Sequence, residues 1–285
     1  MHYVTAKSIL SAKNGMNLYR GCSHGCIYCD SRSDVYNMNH DFEDIEVKEN
    51  SLVLLKRELI KRPKAMIGTG SMTDPYIPAE RNLKYVRKSL ELIDRYGFGF
   101  TCITKSDLVL RDLDLLKKIN DKAKVVVQMT LTTADDDLCR ILEPNVCPTS
   151  RRAEVLNELK DAGIATVVWL CPILPYINDT LENIEAILDY SIDADVKGIL
   201  CKMGLTLRDG NRQYFYKKLD EHFPGMKERY IREFGNQYGI GSPDNDELMK
   251  YFKKRTAQAG IMNDVEEIFS YLSEFPQKTR QSTLF

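Results

Sequence analysis

From Gly15 to about Met203 the chain alternates short apolar runs with longer amphipathic stretches. The apolar runs cover residues 65–68, 99–104, 124–131, 165–170 and 196–201. Each is rich in Ile, Val or Thr and stops near Gly, Pro, Ser or Thr, the pattern of a strand buried in a parallel sheet. Between them, residues 51–61, 80–96, 107–120, 149–162 and 180–192 carry helical spacing. Ser106-Asp107 and Asn178-Asp179 are expected as N-caps, and Gly97 and Gly163 as helix stops. With residues 16–20 as a first strand, the chain contains six βα repeats, which predicts an α/β protein with a parallel sheet covered by helices. Periodicity alone does not separate an open barrel from a doubly wound sheet. Beyond about Thr206 the spacing becomes mostly helical, with breaks at Pro224-Gly225 and at residues 239–243. The reading is a core over 1–205, a C-terminal helical appendage over 206–275 and an exposed tail over 276–285.

Composition narrows the function. A formal net charge of −1 over 285 residues excludes a generic polybasic nucleic-acid binder while leaving room for a local basic groove. No apolar stretch approaches the roughly 20 residues of a membrane span. The first residues lack the charged and then apolar blocks of an export signal, so a cytoplasmic location is expected. Eight cysteines in such a chain point to metal binding or catalysis rather than to disulfides.

Three of the eight are clustered. Residues 19–29 read Tyr-Arg-Gly-Cys-Ser-His-Gly-Cys-Ile-Tyr-Cys, placing Cys22, Cys26 and Cys29 in a C-x3-C-x2-C array on a loop after the first strand. Three thiolates on so short a loop can wrap one face of an iron–sulfur cube and leave the fourth iron open. Zinc is the competing occupant, with His24 or His40 as a fourth ligand.

With the βα repeats behind it, this array resembles that of the radical SAM superfamily. The wider string resembles the branch containing spore photoproduct lyase and related DNA-repair proteins. Supporting segments are Gly68-Thr69-Gly70-Ser71-Met72-Thr73-Asp74-Pro75-Tyr76, Ile103-Thr104-Lys105-Ser106, Leu142-Glu143-Pro144 and Cys171-Pro172-Ile173-Leu174-Pro175. The resemblance spans residues 15 to about 205. It implies a partial (β/α)6 TIM-type barrel and, as cofactors, a 4Fe-4S cluster held by Cys22, Cys26 and Cys29 together with S-adenosylmethionine. It also implies reductive cleavage of that cofactor to a 5′-deoxyadenosyl radical, with electrons from an external donor such as flavodoxin or ferredoxin. Tyr28 is expected near the adenine, and Ser71, Lys105, Thr130 and Arg152 along the cofactor, with a cation near its carboxylate. Cys171, at the end of the fifth strand, is the candidate hydrogen-donating thiol.

Two departures separate this chain from true spore photoproduct lyases. Those enzymes carry a cysteine just ahead of the Thr-Asp pair, where this chain reads Gly68-Thr69-Gly70-Ser71, and a tyrosine after the third cluster cysteine, where this chain has Asp30. The expected substrate is therefore DNA or another nucleic acid, with the reaction left open. A peptide or small molecule is the alternative, and a non-catalytic zinc-stabilised DNA-associated protein is the second. In the appendage, Arg208, Arg212, Tyr214, Phe215, Tyr216, Tyr230 and Tyr238 interleave cations with aromatics, a pattern that either stacks bases or packs on the barrel. The final residues, Gln281-Ser282-Thr283-Leu284-Phe285, resemble the peptide by which bacterial repair proteins dock on the sliding clamp.

Overall fold

The computed structural model describes residues 1–276. Its centre is a six-stranded sheet: β1 (Gly15–Met16), β2 (Met66–Thr69), β3 (Gly99–Thr104), β4 (Val125–Thr130), β5 (Ala165–Leu170) and β6 (Gly198–Cys201). The strands lie in chain order, and every neighbouring pair is parallel. That order decides the question periodicity left open. A doubly wound sheet needs a reversal of strand order, and there is none. Right-handed crossovers without a reversal put all helices on one face, so the other face becomes the inside of an open, partial barrel.

The alternation of side chains follows from this. Phe100, Cys102, Val125, Val127, Met129, Val168, Leu170 and Ile199 join one apolar core with residues of the surrounding helices. Val126, Val167 and Leu200 face inward and form a second core with Ile268 and Leu272 of the last helix, Val265–Ser273. All six residues of β4 are buried, each large apolar side chain contributing roughly 1.5–3 kcal/mol.

All five expected helices begin or end within two residues of their predicted limits: Ser51–Lys61, Tyr85–Tyr96, Leu113–Lys122, Thr149–Asp161 and Leu181–Asp193. Three expectations require correction. Residues 16–20 are not one strand: the chain leaves the barrel after Met16, and Tyr19–Arg20 pairs with Glu46–Lys48 in a small sheet that also holds His2–Val4. The helix expected over 80–96 is broken at Lys84, whose φ is +55°. The buried Glu80 carboxylate causes the break: it accepts from the backbone N–H groups of Tyr85 (2.9 Å) and Val86 (3.2 Å), the Tyr19 hydroxyl and Arg111, capping a new helix. The cap before Leu181–Asp193 is Thr180, not Asn178. Asn178 is buried and cross-braces Leu174 N and Thr132 O instead.

After β6, Gly204–Thr206 pairs antiparallel with Gly239–Gly241, a short strand at the break expected over 239–243. The helices Asn211–His222 and Met226–Phe234 bury Phe215 and Tyr230 against Ile27, Tyr28, Leu142 and Leu174, so these aromatics pack on the cluster loop. Residues 281–285, with the clamp-like peptide, lie outside the described residues.

Candidate active site

The C-terminal ends of the strands open into a cavity of about 410 Å³. Parallel barrels build their sites at this end, and the volume suits a cofactor-sized ligand. The inward-facing register of the strands continues past their ends, so Ile103 of β3 and Lys105 beyond it, Thr130 of β4, Trp169 and Cys171 around the end of β5, and Lys202 after β6 all line it. Gly70, at φ +102°, brings the loop after β2 against β3 so closely that a Cβ would lie 2.2 Å from the Ile103 carbonyl oxygen. Ser71 and Met72 follow it into the wall.

Cys22, Cys26 and Cys29 share this cavity with Tyr28. The loop is pinned from both sides: Cys22 N donates to Phe42 O (2.9 Å), Ile27 N to Leu142 O (3.0 Å), and Asn145 N to His24 O (3.0 Å). Burial pushes the Cys22 thiol up to about 12 and raises Cys26 as well. Buried thiols of this kind ionise on binding a cationic centre. Ligands 2.3 Å from a tetrahedral zinc stand roughly 3.8 Å apart. Among the described residues, the three sulfurs do not gather within 4.8 Å of one another, and the only His/Cys/Asp/Glu trio that does is His2, His40 and Asp44. The cysteine array as it stands is therefore wider than a single tetrahedral zinc requires. His40 is engaged elsewhere. His24 lines the cavity, but its Nδ1 faces Asp74 Oδ2 at 3.4 Å, and burial lowers its pKa, leaving a neutral ring.

Two buried carboxylates organise the walls. Asp74 accepts from Tyr76 N, Thr104 Oγ1 and Lys105 N, each at 2.8 Å, and so locks the turn after β2 onto the end of β3. Glu143 accepts from the Tyr28 hydroxyl, from Arg152 and, at 3.3 Å, from Thr132 Oγ1. Burial alone would raise the Glu143 pKa, but Arg152, Lys105 and the two short hydrogen bonds hold it below the usual carboxylate range. Neither acid was assigned a role from sequence. Each directly precedes a proline just beyond a strand or helix, which is the one local signal they carry.

The expected cofactor-binding residues Tyr28, Ser71, Lys105 and Thr130 are brought together in the cavity, as is Cys171. Arg152 is not. It is fully buried behind the wall and donates to Thr130 O (2.7 Å), Cys147 O (3.0 Å), Cys139 Sγ (2.9 Å) and Glu143. With its donors engaged, it acts as a positioning residue for Glu143 and Thr130 rather than a clamp on a ligand. Two lysines, Lys105 and Lys202, line the cavity in its place, and Lys105 is the one beside the cysteine loop. Burial opposes its charge, yet Cys26, Glu143 and Asp74 outweigh that and raise its pKa, and its Nζ lies 5.9 Å from the centre of the Tyr28 ring. Cys171 is held as a thiol, burial pushing it up to about 11 despite the nearby Lys105 and Lys202.

An uncharacterized protein of Mycobacterium tuberculosis is 30% identical over 223 residues, which is 75% of this chain and 65% of that one, so this chain matches a little under two thirds of that relative. An uncharacterized protein of Acidianus two-tailed virus is 30% identical over 249 residues, covering 79% and 80% of the two chains. The fold is similar to spore photoproduct lyase complexed with dinucleoside spore photoproduct, at a TM-score of 0.64 and 13% identity over 90% of this chain and 78% of that one. A mutant of that lyase with bound AdoMet and the dinucleoside has a TM-score of 0.61. Residues 16–191, more than half of the chain and carrying the cysteine loop and strands β2 to β5, match the Radical SAM superfamily. The chain belongs to that superfamily, whose cofactors are a 4Fe-4S cluster and S-adenosylmethionine.

Proposed function

We propose that this chain reductively cleaves S-adenosylmethionine at a cluster held by Cys22, Cys26 and Cys29, and that its substrate is a nucleic acid. The observation that carries the reading is the meeting of those three cysteines with Lys105, Ser71, Thr130 and Cys171 in one cavity at the strand ends. The chemistry such a cluster supplies is one-electron cleavage of a sulfonium–carbon bond, giving a 5′-deoxyadenosyl radical that abstracts hydrogen from the substrate. Lys105 supplies a fixed cation for the carboxylate of the cofactor, Ser71 a hydroxyl and the Thr130 side chain a wall. The apolar side chains of its wall, Trp169 and Leu205 among them, limit the water that reaches the radical. An external donor such as flavodoxin or ferredoxin provides the electron.

The nucleic-acid part is supported by the cavity mouth. Lys202 lines it, and Arg208, 3.4 Å from the cavity residue Asp30, lies over Tyr238 (5.1 Å) and Tyr36 (5.9 Å). Tyr238 is 57% exposed, so a cation and an aromatic face are presented together, the combination that tracks phosphates and stacks bases. Anaerobically reconstituted, reduced protein is expected to form 5′-deoxyadenosine, and added DNA is expected to raise the yield severalfold. An intact cluster that cleaves nothing would remove the cofactor reading. Cleavage enhanced only by peptides or small metabolites would remove the substrate reading alone.

Cys171 is assigned the return of hydrogen to the substrate radical. The S–H bond breaks homolytically, a C–H bond forms on the product, and the thiyl is returned to the thiol by an electron from the external reductant and a proton from solvent. In deuterated water the product of the native enzyme is expected to carry deuterium, and that of Cys171→Ala to lose the label while 5′-deoxyadenosine still forms. Undiminished labelling in the variant would assign the role elsewhere.

A further inference from the structure

Outside the strand-end cavity, two histidines and a carboxylate converge on the small sheet at the start of the chain. Ligand atoms of His2, on the first strand of that sheet, and of His40 and Asp44, on the loop leading to Glu46–Lys48, lie within 4.8 Å of one another. The two rings meet edge to face with centroids 4.8 Å apart, and His2 Nδ1 is 2.9 Å from Asp44 Oδ2.

His40 is prepared for a cation. Its Nδ1 lies 3.0 Å from the Asp41 carbonyl oxygen. A carbonyl only accepts, so this bond places a proton on Nδ1, and in the neutral ring the lone pair is then on Nε2. Nε2 is buried without a hydrogen-bond partner and faces Glu46 Oε2 at 3.6 Å. An imidazole lone pair set against a carboxylate is unfavourable unless positive charge stands between them. A backbone carbonyl on the other ring nitrogen is also the usual support for a metal-bound histidine. The His2 and Asp44 side chains are each 39% exposed, which gives an ion entry from solvent.

We propose that His2, His40 and Asp44, with Glu46 closing in or accepting from a bound water, bind one divalent transition ion of the zinc class. Two imidazoles with one or two carboxylates form a donor set that zinc, cobalt and nickel accept and that calcium and magnesium do not favour. The site braces the cysteine loop from behind. Phe42, between His40 and Asp44, offers its carbonyl to Cys22 N at 2.9 Å, and a Cβ on Gly21 would lie 2.5 Å from that same oxygen. The ion thus ties the first strand to the segment against which the first cluster cysteine is seated.

The test uses full-length protein with its cluster reconstituted, dialysed against limiting Zn²⁺ and analysed for zinc and iron. One zinc per chain beyond the iron is expected, with affinity at least tenfold lower in His40→Ala and in Asp44→Asn, the second variant guarding against a folding defect in the first. Co²⁺ in place of zinc is expected to give weak visible bands without a thiolate charge-transfer band. Zinc held equally by both variants, no zinc at all, or a cobalt spectrum with thiolate character would each overturn the proposal. Because the cobalt spectrum separates nitrogen and oxygen ligands from sulfur, this test does not depend on the cysteine loop holding a cluster.

Discussion

Cys26→Ala is expected to bring 5′-deoxyadenosine formation down to the no-enzyme background and to lower bound iron, with little change in the unfolding midpoint of the metal-free protein. Cys26 lies in the apolar cluster formed by Ile27, Tyr28, Leu142 and Phe215, where losing one sulfur removes little packing. A cube held by three protein ligands has no spare one, since its fourth iron must stay open. Cys102→Ala is the control. Cys102 is fully buried on the helix-facing side of β3 and packs as a small apolar residue, so cleavage is expected to persist there. Iron content with electron paramagnetic resonance of the reduced protein checks both. A Cys26 variant that still turned over the cofactor would mean that the three cysteines are not the ligand set.

The second large effect concerns stability. Glu143→Leu leaves the Arg152 guanidinium, fully buried, without its carboxylate and the Tyr28 hydroxyl without its acceptor. Removing one partner of a buried ion pair costs about 3–5 kcal/mol, mostly the cost of the charge left behind. Arg152→Met strands Glu143 in the same way, although Tyr28 and Thr132 still donate to it. The double variant is expected to be destabilised by less than the sum of the two, by at least about 1 kcal/mol. Urea unfolding of the four proteins closes the cycle. Strict additivity would show that the pair is not coupled and that Arg152 matters only through Thr130 and Cys147.

Much of the barrel was legible because its strands are buried on both faces and therefore read as continuous apolar runs. Residues 99–104 and 165–170 agree with β3 and β5 to the residue. What was hidden depends on long-range partners. Residues 16–20 read as one strand because nothing local announces that Tyr19–Arg20 will pair with Glu46–Lys48. Lys84 reads as helical until Glu80 is seen to cap the turn beyond it. The cysteine array and the position of Lys105 just past β3 were visible because both are local patterns at strand ends. Arg152 was misplaced for the opposite reason: its partner Glu143 lies on another segment, and an arginine reads the same whether it meets a ligand or a buried acid.

The helix Val265–Ser273 carries a consequence for how the barrel closes. Ile268 and Leu272 fill the inner face of the sheet beside Val126, Val167 and Leu200, and Phe269 meets Trp169 at 6.2 Å. Trp169 in turn donates to Gln128 (2.8 Å), which donates to Thr101 (2.8 Å), a polar rung across three strands beneath the cavity. The floor of the cavity is therefore supplied by a segment that follows every strand of the barrel in the chain. The barrel is plugged only when that helix has seated, so the strand-end cavity and a helix that lines none of it form as one unit.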